Sequence, residues 1–290
     1  MEATNMKIAV LSGKGGTGKT LVSVNLAAAA GQSVYVDCDV EEPNGHLFFK
    51  PLHVSENETT IKIPIINRAL CNGCRKCIEF CKFNALAFIK DKVIVFDEVC
   101  HSCGGCMLVC PQKAVLEKVK TIGKIQKGCS EQVKVLSGIL NTGEVSGVPI
   151  IKNLLKEIKN DNQINIIDCP PGSACIVMES IKDADYCVLV AEPTAFGVHN
   201  LNMVYELVTL FHKHYGVVLN KCLDGENPAE IFCKEKGITI LGKIPFETEL
   251  GTLNSNAKIA VREKEKYHTL FSVMLQNVMK EVQHETAVNP

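Results

Sequence analysis

Apolar and β-branched residues form short runs at the start of the chain, and each run ends in a glycine-rich or acidic segment. Residues 7–11 predict a buried strand, and the Leu- and Ala-rich residues 21–30 favour a helix that Gly31 would stop. Residues 33–36 are again β-branched and apolar, and Asp37 follows them. The order strand, helix, strand is the βαβ start of a parallel sheet.

The same alternation returns in the second half of the chain. Further strands are predicted at residues 164–167, 186–191, 217–219 and 238–241. Helices are predicted at residues 198–214, from apolar side chains at helical spacing, and at about residues 266–282. The predicted fold class is therefore α/β, with a doubly wound and mostly parallel sheet.

Residues 61–117 interrupt this alternation with a cysteine repeat. The spacing C-x2-C-x2-C-x3-C occurs twice, and a similar short segment follows each run, Asn-Ala-Leu in one and Lys-Ala-Val in the other. The repeat predicts a small inserted α+β module. It divides the chain into residues 1–60 and 118–290, the two parts of the nucleotide domain, and residues 61–117, the insert.

Composition changes this picture mainly through cysteine. The 46% hydrophobic and 22% charged residues are ordinary for a globular protein, and a net charge of -1 gives no pull toward nucleic acid or anionic lipid. No apolar run is long enough to span a membrane, and the first residues do not resemble a secretory signal. We therefore expect a cytoplasmic protein without stable membrane anchoring. In a reducing compartment, 15 cysteines favour metal or cluster ligation over disulfides.

The cysteine spacing matches that of bacterial two-cluster ferredoxins, in which the fourth ligand of each cluster comes from the other run. Thiolate is a soft ligand suited to iron–sulfur clusters. Two 4Fe–4S clusters are predicted, one on the first quartet, Cys71, Cys74, Cys77 and Cys110, and one on the second quartet, Cys81, Cys100, Cys103 and Cys106. Structural zinc is the alternative, although zinc sites usually pair two C-x2-C units.

Small residues in the two runs, Gly73, Gly104 and Gly105, are expected to let backbone N–H groups approach the sulfurs. Pro111 follows the second run as in the ferredoxin pattern, whereas Lys82 stands where the first run would usually have proline. This departure affects the expected loop shape and reduction potential, not the ligand set.

Residues 13–20 fit G-x-x-x-x-G-K-[ST] between a predicted strand and a predicted helix, the context that a phosphate-binding loop requires. Glycines let backbone N–H groups turn toward phosphate oxygens, and the helix N-terminus adds a positive dipole end. Lys19 is expected to reach the β- and γ-phosphates and Thr20 to bind Mg²⁺. The predicted loop residues are Gly13, Gly15, Gly16, Thr17, Gly18, Lys19 and Thr20. A chance glycine-rich turn is the alternative.

A second lysine in this loop, Lys14, gives it a close resemblance to the deviant loop of the MinD/ParA/Mrp branch of P-loop ATPases. With the cysteine module, the whole chain resembles a member of that superfamily containing an inserted two-cluster ferredoxin domain. The resemblance implies ATP and Mg²⁺ as cofactors and ATP hydrolysis as activity. It also implies an ATP-dependent homodimer in which Lys14 crosses to the partner's phosphates. A solvated lysine at the loop edge is the alternative.

Three aspartates and an Asn-Lys pair follow predicted strands and match further positions of this family. The resemblance assigns Asp37 to the water shell of Mg²⁺, Asp39 to positioning the attacking water, and Asp168 to holding Mg²⁺ through water. Aspartates at strand ends also occur simply in turns. Asn220 and Lys221 lie where the family recognises the base, and because the guanine-reading Asn-Lys-x-Asp is incomplete, adenine is favoured.

Several cysteines outside the insert are interpreted as core residues, namely Cys38, Cys169 and Cys187. Cys175 lies in a segment that resembles the second switch of the family. A free buried thiol is favoured there over a ligand of a transient metal site.

Three cellular roles remain open at this point. The first is electron transfer gated by nucleotide state, and the second is iron–sulfur or metallocofactor assembly, which the lack of a C-x2-C outside the insert weakens. The third is MinD-like positioning with structural or sensory clusters, although the C-terminal helix has few basic residues for membrane targeting. The first two imply an unidentified redox or metallocofactor partner protein.

Overall fold

A computed structural model describes residues 5–158 and 163–288 of the chain. The strands of this part are β1 (Met6–Leu11), β2 (Ser33–Asp37), β3 (Leu52–Ile66), β4 (Leu86–Ile89), β5 (Lys92–Val95), β6 (Val115–Ser130), β7 (Val133–Leu140), β8 (Ile164–Asp168), β9 (Tyr186–Ala191), β10 (Tyr215–Cys222) and β11 (Ile240–Pro245). The helices are α1 (Lys19–Ala29), α2 (Gly45–Phe49), α3 (Lys76–Phe80), α4 (Gly105–Leu108), α5 (Val148–Lys156), α6 (Cys175–Ile181), α7 (Ala195–Leu210), α8 (Pro228–Lys236), α9 (Thr248–Ser255), α10 (Ala260–Glu263) and α11 (Glu265–Val288).

Most of the strands form one large sheet. Within the described residues it has nine strands in the order β11-β10-β9-β1-β8-β2-β7-β6-β3. The strands from β11 to β7 pair in parallel, whereas β6 pairs antiparallel with both β7 and β3. The predicted α/β class with a mostly parallel, doubly wound sheet is confirmed. The carboxyl ends of β1, β2 and β8 lie side by side, which brings their following loops together.

Two apolar cores cover the two faces of this sheet. Successive residues of β1 contribute to opposite cores, because successive side chains of a strand point to opposite faces of the sheet. Ile8 and Val10 pack with α1 and α11, whereas Ala9 and Leu11 pack with α5, α6 and α7. The helices therefore fix the loops at the sheet edge from both sides.

The cysteine insert is carried by a long two-stranded ribbon. β3 and β6 pair from Leu52 opposite Cys129 to Ile66 opposite Val115, and the module with α3, β4, β5 and α4 lies between them in the chain. β7 ends at Leu140, opposite Gly123, so the far half of the ribbon pairs only with itself among the described strands. The predicted limits of the insert, residues 61 and 117, fall within these two strands; the three-part division stays a prediction.

Two predicted elements are displaced along the chain. The helix predicted at residues 198–214 is α7, which starts earlier because the Thr194 hydroxyl accepts a hydrogen bond from Gly197 N at 2.9 Å. It ends before His212, whose φ is 51°. The strand predicted at 238–241 corresponds to β11, which starts later, at Ile240. It starts later because Ile238 N donates to Cys233 O at the end of α8.

The C-terminal helix α11 is a core element. Phe271, Met274 and Val278 are each no more than 1% exposed and pack in the core that also contains α1. Among the described helices, none is both long and apolar enough to cross a membrane.

Candidate functional site

The loop between β1 and α1 has the shape of a phosphate cradle. Gly16 and Gly18 have φ values of 79° and 97°, in the left-handed region that favours glycine. A Cβ at Gly18 would also collide with the side-chain amide of Asn220. The hydroxyl of Thr17 donates to Lys14 O at 3.0 Å and closes the turn. The predicted loop residues are thus brought together at the N-terminus of α1, where a phosphate would meet backbone N–H groups.

A buried cation and a carboxylate lie at the centre of the site. Lys19 Nζ donates to Asp168 Oδ1 at 2.6 Å and lies 3.9 Å from Asp39 Oδ2. The hydroxyl of Tyr35 donates to the other oxygen, Asp168 Oδ2, at 2.8 Å. Burial lowers the pKa of Lys19, but Asp168 and the other aspartates outweigh it and raise that pKa above its ordinary value. Lys19 therefore stays charged in the buried site.

Asp37 occupies the floor of the same site. It is 1% exposed, and its carboxylate accepts hydrogen bonds from Asp39 N at 3.2 Å and Gly45 N at 2.8 Å. Burial and the neighbouring Asp168 raise the pKa of Asp37 to about 8. Burial also raises the pKa of Asp39 to about 6. The raised pKa values mean that ionising these carboxyl groups is costly without a bound cation. A bound divalent cation would favour the ionised forms, so the arrangement suits a Mg²⁺ site.

Asn220 and Lys221 support the loop from the end of β10. Asn220 Nδ2 donates to Thr17 O at 2.8 Å, and Lys221 Nζ donates to Gly16 O at 2.9 Å. Both residues thus lie beside the phosphate loop. Their predicted contact with the base stays a prediction.

Lys14 lies against its own chain. Its ammonium is 2.8 Å from Glu192 Oε2 and 4.8 Å from the centre of the Phe196 ring. Glu192 Oε1 accepts from Lys221 at 2.5 Å, so this carboxylate joins two lysines of the site. Burial would raise the pKa of Glu192, but both ammonium groups hold it below its ordinary value.

Tyr35, Glu192 and Phe196 also belong to the site, although no role was predicted for them from the sequence. Glu192 could have been predicted as a site residue, because it directly follows the buried strand β9. The carboxyl end of β9 lies at the same edge of the sheet as that of β1. Tyr35 lies inside a strand and gave no signal, since a buried strand tyrosine usually only packs.

The eight cysteines of the insert surround two separate cavities. One, of only about 10 Å³, is lined by the first quartet, Cys71, Cys74, Cys77 and Cys110. The other, of about 540 Å³, is lined by the second quartet, Cys81, Cys100, Cys103 and Cys106. Each cavity therefore combines three cysteines of one run with the last cysteine of the other, as the ferredoxin spacing predicts. Ligation itself stays a prediction. In the described part of the chain, no three His, Cys, Asp or Glu side chains converge on a single-ion metal site.

The two cysteine runs fold alike. Ala85 N donates to Cys81 Sγ at 3.4 Å, and Ala114 N donates to Cys110 Sγ at 3.3 Å, each four residues on. The positions two and four residues after the first cysteine of each run have positive φ in both runs, namely Gly73, Arg75, Ser102 and Gly104. Such turns direct successive backbone N–H groups inward, which suits sulfur-rich, negatively charged clusters.

Gly105 also has a packing role, because a Cβ at this position would collide with the ring of Phe80, where α3 packs on α4. The approach of its backbone N–H to a sulfur stays a prediction. Lys82 lines the cavity of the second quartet beside Phe80.

The remaining cysteines divide by exposure. Cys38, Cys169 and Cys187 are fully buried, as predicted, and burial raises the pKa of Cys187 to about 12. Cys175 was expected to be buried, and this is wrong: it is exposed at the start of α6, directly after the exposed Ala174. That it does not bind a metal stays a prediction.

The profile of the family described as CobQ/CobB/MinD/ParA nucleotide binding domain (CbiA) matches residues 8–260. The chain belongs to this family. An uncharacterized protein of Methanocaldococcus jannaschii is 32% identical over 282 residues, which are 91% of this chain and 96% of the relative. An iron-sulfur cluster carrier protein of Pyrococcus horikoshii is 26% identical over 265 residues, 83% of this chain and 74% of the relative.

The insert and the fold each have a separate counterpart. An uncharacterized ferredoxin of Methanocaldococcus jannaschii is 39% identical over 59 residues, 19% of this chain and 77% of the ferredoxin. The crystal structure of the cell division ATPase MinD of Pyrococcus furiosus matches with a TM-score of 0.59 at 18% identity, covering 95% of this chain and 99% of that one. The chain is thus a MinD/ParA-type P-loop nucleotide-binding protein with a ferredoxin-like module, and the predicted resemblance to this family is confirmed.

Proposed function

We propose that this protein is a Mg²⁺-dependent ATPase whose nucleotide state controls electron transfer through two 4Fe–4S clusters. The observation that carries the proposal is the arrangement of the eight insert cysteines around two cavities, on a ribbon that is continuous with the nucleotide-binding sheet. A permanent cluster pair on such a ribbon suits an electron path whose position depends on the ATPase.

The nucleotide site has the groups that ATP hydrolysis requires. The backbone of residues 13–20 would hold the phosphates, and Lys19 would exchange part of its contact with Asp168 for the β- and γ-phosphates. Thr20, Asp37 and Asp168 would hold Mg²⁺, directly or through water. Asp39 would orient the water that attacks the γ-phosphate and gives ADP and inorganic phosphate. Asn220 and the incomplete guanine motif favour adenine.

Lys14 is proposed to leave Glu192 and contact the γ-phosphate bound by the partner chain. Its present neighbour Glu192 also binds Lys221, so Glu192 keeps a cation when Lys14 leaves. An ATP-dependent homodimer would then place a lysine of each chain on the γ-phosphate of the other, in the manner of a cation supplied in trans.

The two cysteine quartets would hold the 4Fe–4S clusters, which when bound would supply one-electron transfer between a low-potential protein or chemical donor and an acceptor. Cys74 of the first quartet and Cys103 of the second are exposed, so each cavity has a ligand at the protein surface through which an electron could enter or leave. ATP binding and hydrolysis would set when the acceptor is reduced.

Cluster or metallocofactor assembly is the second candidate. It is favoured by the similarity to a protein described as an iron-sulfur cluster carrier. In that role a cluster must leave the chain, whereas in electron transfer both clusters stay and only change oxidation state.

One experiment separates the two roles. The protein is purified anaerobically with both clusters, reduced with dithionite, and mixed with an oxidised one-electron dye in the presence of ATP, ADP or a slowly hydrolysed ATP analogue. Gated electron transfer predicts nucleotide-dependent dye reduction while iron and sulfide remain bound. Assembly predicts nucleotide-dependent loss of iron and sulfide to an apo-ferredoxin acceptor. Dye reduction at the same rate with and without nucleotide would contradict the gating proposal.

A further inference from the structure

Lys120 contacts both the cluster module and the turn that follows β7. Lys120 of β6 donates to Glu144 Oε2 at 2.9 Å and to the backbone oxygen of Asp97 at 3.3 Å. Asp97 precedes Cys100, a member of the second quartet, by three residues. The side chains of Lys120 and Glu144 are only 22% and 12% exposed. Solvent screens the attraction between two partly buried charges less than that of a surface pair, so Lys120 is expected to follow a displacement of Glu144.

Glu144 belongs to the turn that follows β7, near the point beyond which β3 and β6 pair only with each other. Leu140 N donates to Val40 O at 2.8 Å, and Asn141 N donates to Ile122 O at 2.9 Å. Val40 directly follows Asp39, the residue proposed to orient the attacking water. The turn is thus hydrogen-bonded on one side to the segment after β2 and on the other to the ribbon.

The same turn packs against the segment that follows β8. A Cβ at Gly147 would collide with Val40 and would lie 3.1 Å from Cδ1 of Ile176. Ile176 is in the first turn of α6, eight residues after Asp168. Both segments that carry the proposed Mg²⁺ and water ligands therefore touch the turn that holds Glu144. Because close-packed groups shift together rather than compress, a move of either segment is expected to move the turn.

From these contacts we propose that Lys120 is a positioning residue that couples the nucleotide site to the second quartet through Glu144 and the backbone oxygen of Asp97. The proposal rests on the function proposed above and adds the residue that carries the coupling. Closure of the site around ATP moves the turn at residues 141–147, and Glu144 draws the ammonium of Lys120 with it. The hydrogen bond to the backbone oxygen of Asp97, three residues before Cys100 of the second quartet, changes as a result. By linkage, reduction of the cluster changes ATP affinity by the same factor.

Lys118 provides a matched control on the same strand. It lies two residues from Lys120, on the same face of β6, and its Nζ donates to Asp97 Oδ2 at 2.6 Å. The structure gives Lys118 no contact with Glu144 within the described residues. The substitution Lys118→Met removes the same charge and a contact to the same aspartate, but leaves the link to the nucleotide domain in place.

The test measures affinity for a slowly hydrolysed ATP analogue with the full chain carrying both clusters, oxidised and dithionite-reduced. The wild-type affinity should differ between the two states by about fivefold or more. In Lys120→Met and Glu144→Gln the two affinities should be equal, whereas Lys118→Met should keep the wild-type ratio. Hydrogen exchange of residues 97–103 gives a second readout: the analogue should change it in the wild type and in Lys118→Met only.

The outcomes distinguish this inference from the proposed function. Equal affinities in the oxidised and reduced wild type would overturn nucleotide gating itself. A wild-type ratio that persists in Lys120→Met and Glu144→Gln would leave gating intact and overturn the role of Lys120. If Lys118→Met abolished the affinity difference as completely as Lys120→Met, the specific role of Lys120 would also be overturned. Removal of any lysine charge on β6 would then be enough to abolish the difference. If Lys120→Met loses its clusters, Glu144→Gln decides, because it retains the lysine and its bond to Asp97.

Discussion

Asp37 and Asp168 lie directly opposite each other at the ends of the parallel strands β2 and β8, and each is only 1% exposed. Lys19 binds Asp168, while the carboxylate of Asp37 accepts only backbone N–H groups among the hydrogen bonds found in the described residues. These two buried carboxylates and the buried Lys19 carry an excess of negative charge when all three groups are ionised. A divalent cation is the ligand that this arrangement favours.

The first prediction concerns the pH dependence of stability without Mg²⁺ or nucleotide. Burial and Asp168 raise the pKa of Asp37 to about 8, above its value in the unfolded chain. Between the two values the folded state binds more protons, so stability should fall as pH rises toward 8. Thermal unfolding in EDTA should show a midpoint several degrees lower at high than at low pH, and Asp37→Asn should flatten this slope. An unchanged slope in Asp37→Asn would contradict the assignment.

Local spacing allowed much of this site to be predicted. The phosphate loop and the cysteine runs are contiguous in sequence, so their residue types and intervals alone indicate their chemistry. The apolar strands β1, β2, β8 and β9 were also predictable, because burial on both faces produces continuous hydrophobic runs.

Contacts between distant segments could not be predicted in the same way. Residues 52–58 of β3 are exposed at the edge of the sheet and carry no sustained hydrophobic alternation, so the sequence pattern does not indicate the ribbon. The contacts of Lys14 with Glu192 and of Lys120 with Glu144 join residues from different elements, and only the assembled sheet brings them together.

The second prediction separates nucleotide binding from turnover. Lys19→Ala should weaken ATP binding by about 10- to 100-fold, because a buried charge-assisted contact to the phosphates is lost. Asp39→Ala should retain ATP binding but lower turnover about 100-fold or more, as expected for loss of water positioning. Calorimetric titration and phosphate release measure the two effects, with thermal unfolding as the check on folding. Normal turnover of Asp39→Ala would show that another residue orients the water.

The third prediction tests the crossed ligand sets of the insert. Anaerobically purified protein should contain about eight iron atoms per chain. Cys110→Ser should remove the cluster of the first quartet, although Cys110 belongs to the second run, and iron should fall to about four. Cys175→Ser is the control and should keep the wild-type content. Iron and sulfide assays with electron paramagnetic resonance of the reduced protein measure the result; stoichiometric zinc without sulfide would rule out the ferredoxin assignment.

The fourth prediction is that ATP, and not ADP, favours a dimer that depends on Lys14. Within one chain the phosphates already have the loop backbone and Lys19, so Lys14 gains most from the γ-phosphate of a partner, where burial between chains strengthens the contact. Lys14 must first leave Glu192, 2.8 Å away. Glu192→Gln should therefore raise the dimer fraction at a given ATP-analogue concentration, and Lys14→Ala should abolish the dimer. Sedimentation velocity measures both, with the exposed Lys234→Ala as control; equal dimerisation of Lys14→Ala and wild type would show that Lys14 does not act across the interface.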